Sequence, residues 1–230
     1  MFELTPLETE ALGLSLTVAL WAVVISLPFG LAVAWLLARY EFFGKTLLNV
    51  VLRLPMVLPP VVIGFVLLML CGRQCPLGRW LYDSFGITLP FTWEGAALAA
   101  AIMAFPLMVR AMRLSIEAVD RKLETAARTL GAGRFNVFLT ITLPLILPGI
   151  LAGAVLAFAR SLGEFGATIT FVSNIPGETR TLPLALYSLI QTPGGEAGAL
   201  RLVVLSILLS LAALGVSEAM ARRLRARLDA

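Results

Sequence analysis

The residue types from which catalytic and metal sites are assembled are scarce in this chain and nowhere clustered. It has no histidine, two cysteines four apart (Cys71 and Cys75), and 14 acidic residues that form no close group of carboxylates. Zinc sites and nucleophile–base pairs draw on those side chains, so neither chemistry has its parts, and no metal, cofactor or catalytic residue is expected. The two cysteines fall at the expected outer end of a helix, as a disulfide or as two free thiols. Gly44-Lys45-Thr46 copies the end of a phosphate-binding Walker A loop, but the first glycine of that motif would have to be residue 39, which is Arg39, and no buried strand precedes it. The chain therefore has no nucleotide site of its own. What remains is a charged pair, Arg160 and Glu164, at the expected outer end of the fourth helix and spaced to face each other across one helical turn. In a structural role each charge lowers the other's desolvation cost. In a functional one Arg160 meets an anion in one state and returns to Glu164 in another, which makes the two residues candidates for a gate or pathway.

The elements that position these residues are membrane spans. Mean hydropathy is +0.93, 59% of residues are hydrophobic and 14% are charged, against about one-quarter charged in a soluble domain. The formal charge of +4 does not point to nucleic acid, because the basic residues sit in short loops between apolar runs rather than in one patch. The runs predict an all-α integral membrane protein forming one domain over residues 1–230, with spans at about 12–37, 54–71, 93–114, 135–159 and 201–220. Leu54-Pro55-Met56-Val57-Leu58-Pro59-Pro60 cannot be regular helix throughout, and the regular part of that run is expected to start near Pro60. Gly149 and Gly153 allow close backbone contact, within the chain or across a dimer seam. Phe165 to Val172 and Leu182 to Ile190 are each too short to span and are expected to be re-entrant or surface pieces.

Between the third and fourth spans lies the stretch with the most information, Leu123 to Pro148. Ile116, Val119, Leu123, Ala126, Ala127 and Leu130 recur at helical spacing with charges between them, which predicts an amphipathic helix at about 116–131, ended by Gly131-Ala132-Gly133. Too polar to span, such a helix lies at the membrane surface or docks on another protein. Ala126-Ala127, then Gly131, then Ile141-Thr142-Leu143-Pro144 at the observed spacings resemble the EAA loop of bacterial ABC-importer permeases. The family's usual glutamate immediately before the two alanines is Thr125 here, with Glu124 one residue earlier. The resemblance implies the type I ABC importer permease fold and a coupling helix that transmits closure of a cytoplasmic ATPase through Glu124, Ala126, Ala127 and Gly131.

A second stretch narrows the resemblance. Ala159-Arg160-Ser161-Leu162-Gly163-Glu164-Phe165-Gly166-Ala167-Thr168 with Ile175-Pro176-Gly177-Glu178-Thr179-Arg180-Thr181 is similar to the oxyanion branch, shared by sulfate and molybdate permeases. The whole-length match, which includes Gln191-Thr192-Pro193-Gly194-Gly195-Glu196, favours the molybdate permeases, with sulfate, thiosulfate and tungstate as alternatives. The implied assembly is a homodimer of this chain in membrane lipid, two cytoplasmic ATP-binding subunits and a periplasmic molybdate-binding protein, working by alternating access. Of 18 Lys and Arg, 13 fall in the loops expected in the cytoplasm, including Arg222, Arg223, Arg225 and Arg227 of the tail. With the acidic, unprocessed start at Met1 to Glu10, this asymmetry predicts a multi-pass protein of the bacterial inner membrane with its N-terminus periplasmic and its C-terminus cytoplasmic. The alternative of another class, an integral-membrane lipid-modifying enzyme, would show His, Asp or Glu clusters facing a cavity.

Overall fold

The computed structural model describes residues 5–228; Glu3 and the side chains of Arg222, Arg223, Arg225 and Arg227 lie outside the described residues. Among the described residues every regular element is helical. In order they are α1 (Pro6–Arg39), α2 (Lys45–Val57), α3 (Pro60–Cys71), α4 (Pro76–Phe85), α5 (Trp93–Ala118), α6 (Arg121–Thr129), α7 (Arg134–Val137), a π-turn (Phe138–Thr142), α8 (Leu143–Leu162), α9 (Gly166–Val172), α10 (Leu182–Ile190) and α11 (Glu196–Leu228).

The bundle is built around α5, whose alanines let other helices approach closely. Ala96, Ala97, Ala99 and Ala100 are buried at one half of it, against Val18 and Ala22 of α1, Leu67 and Cys71 of α3, and Phe171 of α9. Met108, Met112 and Ile116 are buried at the other half, against Ala34 and Leu37 of α1 and Ile146 and Ile150 of α8. A Cβ at Gly149 would collide with the Ser115 side chain, and one at Gly153 would come within 3.0 Å of the Met108 carbonyl. The Gly149/Gly153 pair is thus spent on packing α8 against α5 inside one chain, which decides between the two uses open to it from sequence. Below, the end of the bundle carrying Ile116 and α6 is the near end, and that carrying Trp93 the far end.

α1, α5, α8 with its leading turns, and α11 are each long and apolar enough to cross a membrane; α2 and α3 together qualify as one further span, bent by 112°. Their contacts make them a broken span rather than a hairpin that turns back. Asn49 of α2 accepts from Arg113 at the near end (2.9 Å), whereas Leu67 and Cys71 of α3 pack among the alanines of the far end. The second span therefore begins at Lys45, earlier than the expected residue 54, and breaks at Leu58-Pro59, where proline at 59 and 60 removes two donors. Gly44, the glycine of the Walker-like run, has φ +91° and turns the chain into α2, and Lys45 pairs with Glu41 at 2.6 Å.

Other boundaries also move. α1 starts at Pro6, fixed by a capping box in which the Thr5 hydroxyl accepts from the Glu8 backbone and the Thr5 backbone donates to the Glu8 carboxylate. Residues 116–118 finish α5, so the helix expected over 116–131 is α6 alone, opened by Asp120, whose carboxylate accepts from the Lys122 backbone at 2.9 Å. The fourth span runs on past residue 159 to Leu162, and α9 then carries the chain from the level of Pro60 to that of Gly95. α10, the other short piece, packs at the far end through Leu182 and Ala185 on Ala11 of α1 and Leu202 of α11, and Ser15 accepts from the Leu182 backbone at 2.7 Å.

Gly64 is where α3 meets α9: a Cβ there would overlap the Ala167 carbonyl and lie 2.9 Å from Thr170. Gly64→Val is expected to cost about 1–3 kcal/mol of overpacking and to lower the thermal unfolding midpoint in detergent. Gly13→Ala, inside α1 with nothing within 4 Å, should not lower it. Equal midpoints for the two variants would contradict this packing.

Candidate functional site

α6 hangs below the bundle at the near end, and one carboxylate fixes it there. Glu124 Oε1 lies 2.6 Å from Arg39 Nη2 and accepts from Thr142 Oγ1 at 2.8 Å. Arg39 is the last residue of α1, with its guanidinium 5.2 Å from the Trp35 ring centroid, and Thr142 closes the π-turn that leads into α8. The side chains of Arg39 and Glu124 are mostly buried, and Thr142 is 1% exposed. A charge pair so shielded from water is far stiffer than a surface ion pair, because losing either partner strands the other.

The C-terminus of α6 is closed just as firmly. The Ala132 backbone donates to Ala127 (3.1 Å) and Gly131 donates to Arg128 (3.0 Å), the two bonds of a Schellman ending, with Gly131 at φ +89°. Glycine is needed for that backbone angle, since no neighbour lies within 4 Å of a Cβ at this position.

The apolar stripe read from sequence splits in two. Ile116 and Val119 are buried in the bundle. Leu123 is 49% exposed, Leu130 is 89% exposed, and Ala126 lies on the same outward face. Ala127 is half-buried, on the side of Glu124 that faces the spans. Exposed Phe135, just beyond, adds to an apolar surface that nothing among the described residues covers.

The second candidate group sits elsewhere than the sequence suggests. Arg160 is in the last turn of α8 and Glu164 just beyond it, but this helix end lies level with the middle of α5: Arg160 lines a cavity of about 210 Å³ with Met103 and Leu107, which bracket that middle, and with Pro55, Met56 and Pro60 beside the break in the second span. Glu164 is 3% exposed, with Oε2 2.7 Å from Arg160 Nη1 and Oε1 accepting from the Ala167 backbone at 3.0 Å. It thus caps the first turn of α9. The two helix breaks touch, since a Cβ at Gly166 would come within 2.8 Å of Pro60. Discontinuous helices at mid-depth are tolerated only where the freed backbone groups face protein or a polar cavity. Here they surround a single arginine that keeps about a third of its side chain accessible.

The profile of a family described as "Binding-protein-dependent transport system inner membrane component" matches residues 26–226. The chain belongs to this family. Among its relatives, the permease is 65% identical over 224 residues to the molybdenum transport system permease protein ModB of Escherichia coli K12, covering 97% of this chain and 98% of that one. It is 37% identical over 207 residues to the sulfate transport system permease protein CysT of the same organism, covering 89% and 74%. Among solved structures, a bacterial alginate ABC transporter in complex with an alginate pentasaccharide-bound periplasmic protein superimposes with TM-score 0.74 at 15% identity, over 95% of this chain and 80% of that one. The fold is that of a type I ABC importer permease, and the chain is a multi-pass membrane transport subunit rather than an enzyme.

The coupling residues expected of the permease, Glu124, Ala126, Ala127 and Gly131, all lie on or just after α6, but they face different ways: Glu124 and Ala127 towards the spans, Ala126 outward. Sequence reading missed Arg39 and Thr142. Thr142 belongs to the Ile-Thr-Leu-Pro run and was within reach; Arg39 stands 85 residues from its partner and gives no local signal.

Glu124→Ala and Arg39→Ala are each expected to cost about 3 kcal/mol in stability, because each leaves the other charge buried and alone. The double variant should cost clearly less than the two together. Additive losses in chemical or thermal unfolding would mean that the pair is not coupled.

Proposed function

We propose that this permease carries molybdate across the cytoplasmic membrane by alternating access, driven by ATP hydrolysis on a partner. The observation that carries the substrate assignment is the near-full-length 65% identity to a molybdenum transport permease, against 37% to a sulfate one. In this reading two copies of the chain enclose the pathway, two ATP-binding subunits dock at the near end, and a periplasmic molybdate-binding protein delivers at the far end. The near end is then cytoplasmic, which puts the N-terminus in the periplasm and the C-terminus in the cytoplasm, in keeping with the excess of Lys and Arg in near-end loops.

The outward face of α6 is the surface that the ATPase takes up. Leu123, Ala126 and Leu130 supply apolar contact, Gly131 sets the exit angle of the chain, and Ala127 lets α6 lie close beneath the spans. Glu124 passes displacement of α6 to α1 through Arg39 and to α8 through Thr142. A π-turn holds one residue more than an α-turn, so the start of α8 has slack to take up or release. At mid-depth Arg160 meets the anion, and Glu164 holds the arginine when the anion is gone. The pair costs little when closed, and a dianion competes for the guanidinium with more charge than one carboxylate brings.

The test is ATP hydrolysis by the reconstituted assembly with its binding protein. Molybdate-loaded binding protein should stimulate turnover, and sulfate should not; stimulation by sulfate alone would overturn the substrate assignment. Glu164→Gln in an assembly that still docks the binding protein should lose most transport, about tenfold or more, because Arg160 is left free to hold the anion. Parent-like transport would remove the gating role and leave Glu164 as the cap of α9.

A further inference from the structure

A second basic site lies nearer the cytoplasmic end, and neither the coupling helix nor the Arg160 pair accounts for it. α2 and α5 line an open cavity of about 380 Å³ whose lining includes Arg53 from α2 and Arg110 and Arg113 from α5. The spacing is what a shared face requires: Asn49, Arg53 and Met56 recur along one side of α2, and Pro106, Arg110 and Arg113 along one side of α5. Arg113 is already held, with Nε 2.7 Å from Glu117 and Nη1 donating to Asn49 at 2.9 Å. Among the described residues neither Arg53 nor Arg110 has a carboxylate within ion-pair distance. Three guanidinium charges and the Glu117 carboxylate leave two positive charges over.

The geometry points to an oxyanion-binding site at Arg53 and Arg110, with Arg113 as the fixed wall behind them. A guanidinium offers parallel N–H donors that match two oxygens of a tetrahedral anion, and two such forks from facing helices suit a doubly charged one. Basic residues at a membrane boundary often only reach for water or headgroups. These two are exposed, but they also share one open cavity, floored by Pro106 and Val109 and walled by Met56. Met56 also lines the Arg160 cavity, and Leu107 of that cavity stands three residues from Arg110, so the two basic sites are neighbours along α5. The site is a second station for the anion on its way to the cytoplasm, which rests on the proposed transport of an oxyanion. It receives the anion when Arg160 returns to Glu164, and the excess of positive charge keeps the anion from slipping back. The same chemistry could be met by the phosphate of an anionic phospholipid.

The full chain in phosphatidylcholine nanodiscs, without binding protein, is tested for retention of radiolabelled molybdate and sulfate by equilibrium dialysis at low ionic strength. Arg53→Gln and Arg110→Gln should each weaken retention about tenfold or more, and Arg110→Lys less, since it keeps the charge but not the fork. Arg79→Gln, on exposed α4, should change nothing. Retention is compared per folded particle by size exclusion, so a variant that misfolds is not scored as one that fails to bind. Arginine-dependent retention of sulfate but not molybdate would support the site while removing the molybdate assignment. Phosphatidylglycerol that co-purifies and blocks the anion through the same two arginines would keep the oxyanion chemistry and assign the site to a lipid phosphate. No retention of either anion or of the lipid, or retention indifferent to both substitutions, would overturn the site.

Discussion

A single carboxylate at the near end sets the position of α6, on which the proposed coupling depends. Glu124 reaches one way to the end of α1 and another to the start of α8, so a short polar helix that could not hold its place by burial is fixed to two spans at once. Its position one residue before that of the family's usual glutamate is consistent with this use. On a helix a shift of one residue turns a side chain by about 100°, here towards the spans and away from the surface carrying Leu123, Ala126 and Leu130. Pinning from above and apolar exposure below are what a transmitting element needs, because a helix that moved freely would absorb displacement instead of passing it on.

The second constraint is the bilayer itself. Backbone groups cannot be left open to hydrocarbon, so a break in a span is affordable only inside the protein. Two breaks are placed against one another here, Leu58-Pro59 between α2 and α3 and Gly163 to Phe165 between α8 and α9, with Gly166 and Pro60 in contact. The Glu164 side chain supplies one acceptor for the freed donors of α9 and compensates Arg160. The site proposed for the anion is thus a region where irregular backbone, positive charge and accessible volume coincide. The arginines on α2 and α5 lie next to it along the same face of α5.

Much of this was legible in the sequence. Long apolar runs disclosed α1, α8 and α11, the prolines marked the break near residue 59, and the spacing of Ala126, Ala127 and Gly131 identified the segment between the third and fourth spans. The losses have physical causes. α2 carries Asn49 and Arg53 and has no buried residue, so it read as a loop although it forms half a span. α9 is too short to register as membrane-crossing by length, which made Arg160 and Glu164 look like residues of an outer boundary. The partnership of Arg39 with Glu124 joins residues far apart in the chain, and no local pattern encodes it. The central role of α5 rests on alanines, which are weakly hydrophobic by composition but permit the closest packing.

The most direct test of the transmission role is a distance across the Glu124 node through the ATP cycle. Spin labels at exposed Arg121 of α6 and exposed Thr140 of the π-turn, in the assembled transporter, report whether α6 and the start of α8 move together. The two labels should keep their separation within about 1–2 Å between the nucleotide-free and ATP-trapped states, and Glu124→Gln should broaden the distribution. A change of about one helical turn, roughly 5 Å, in the parent protein would contradict transmission through this node.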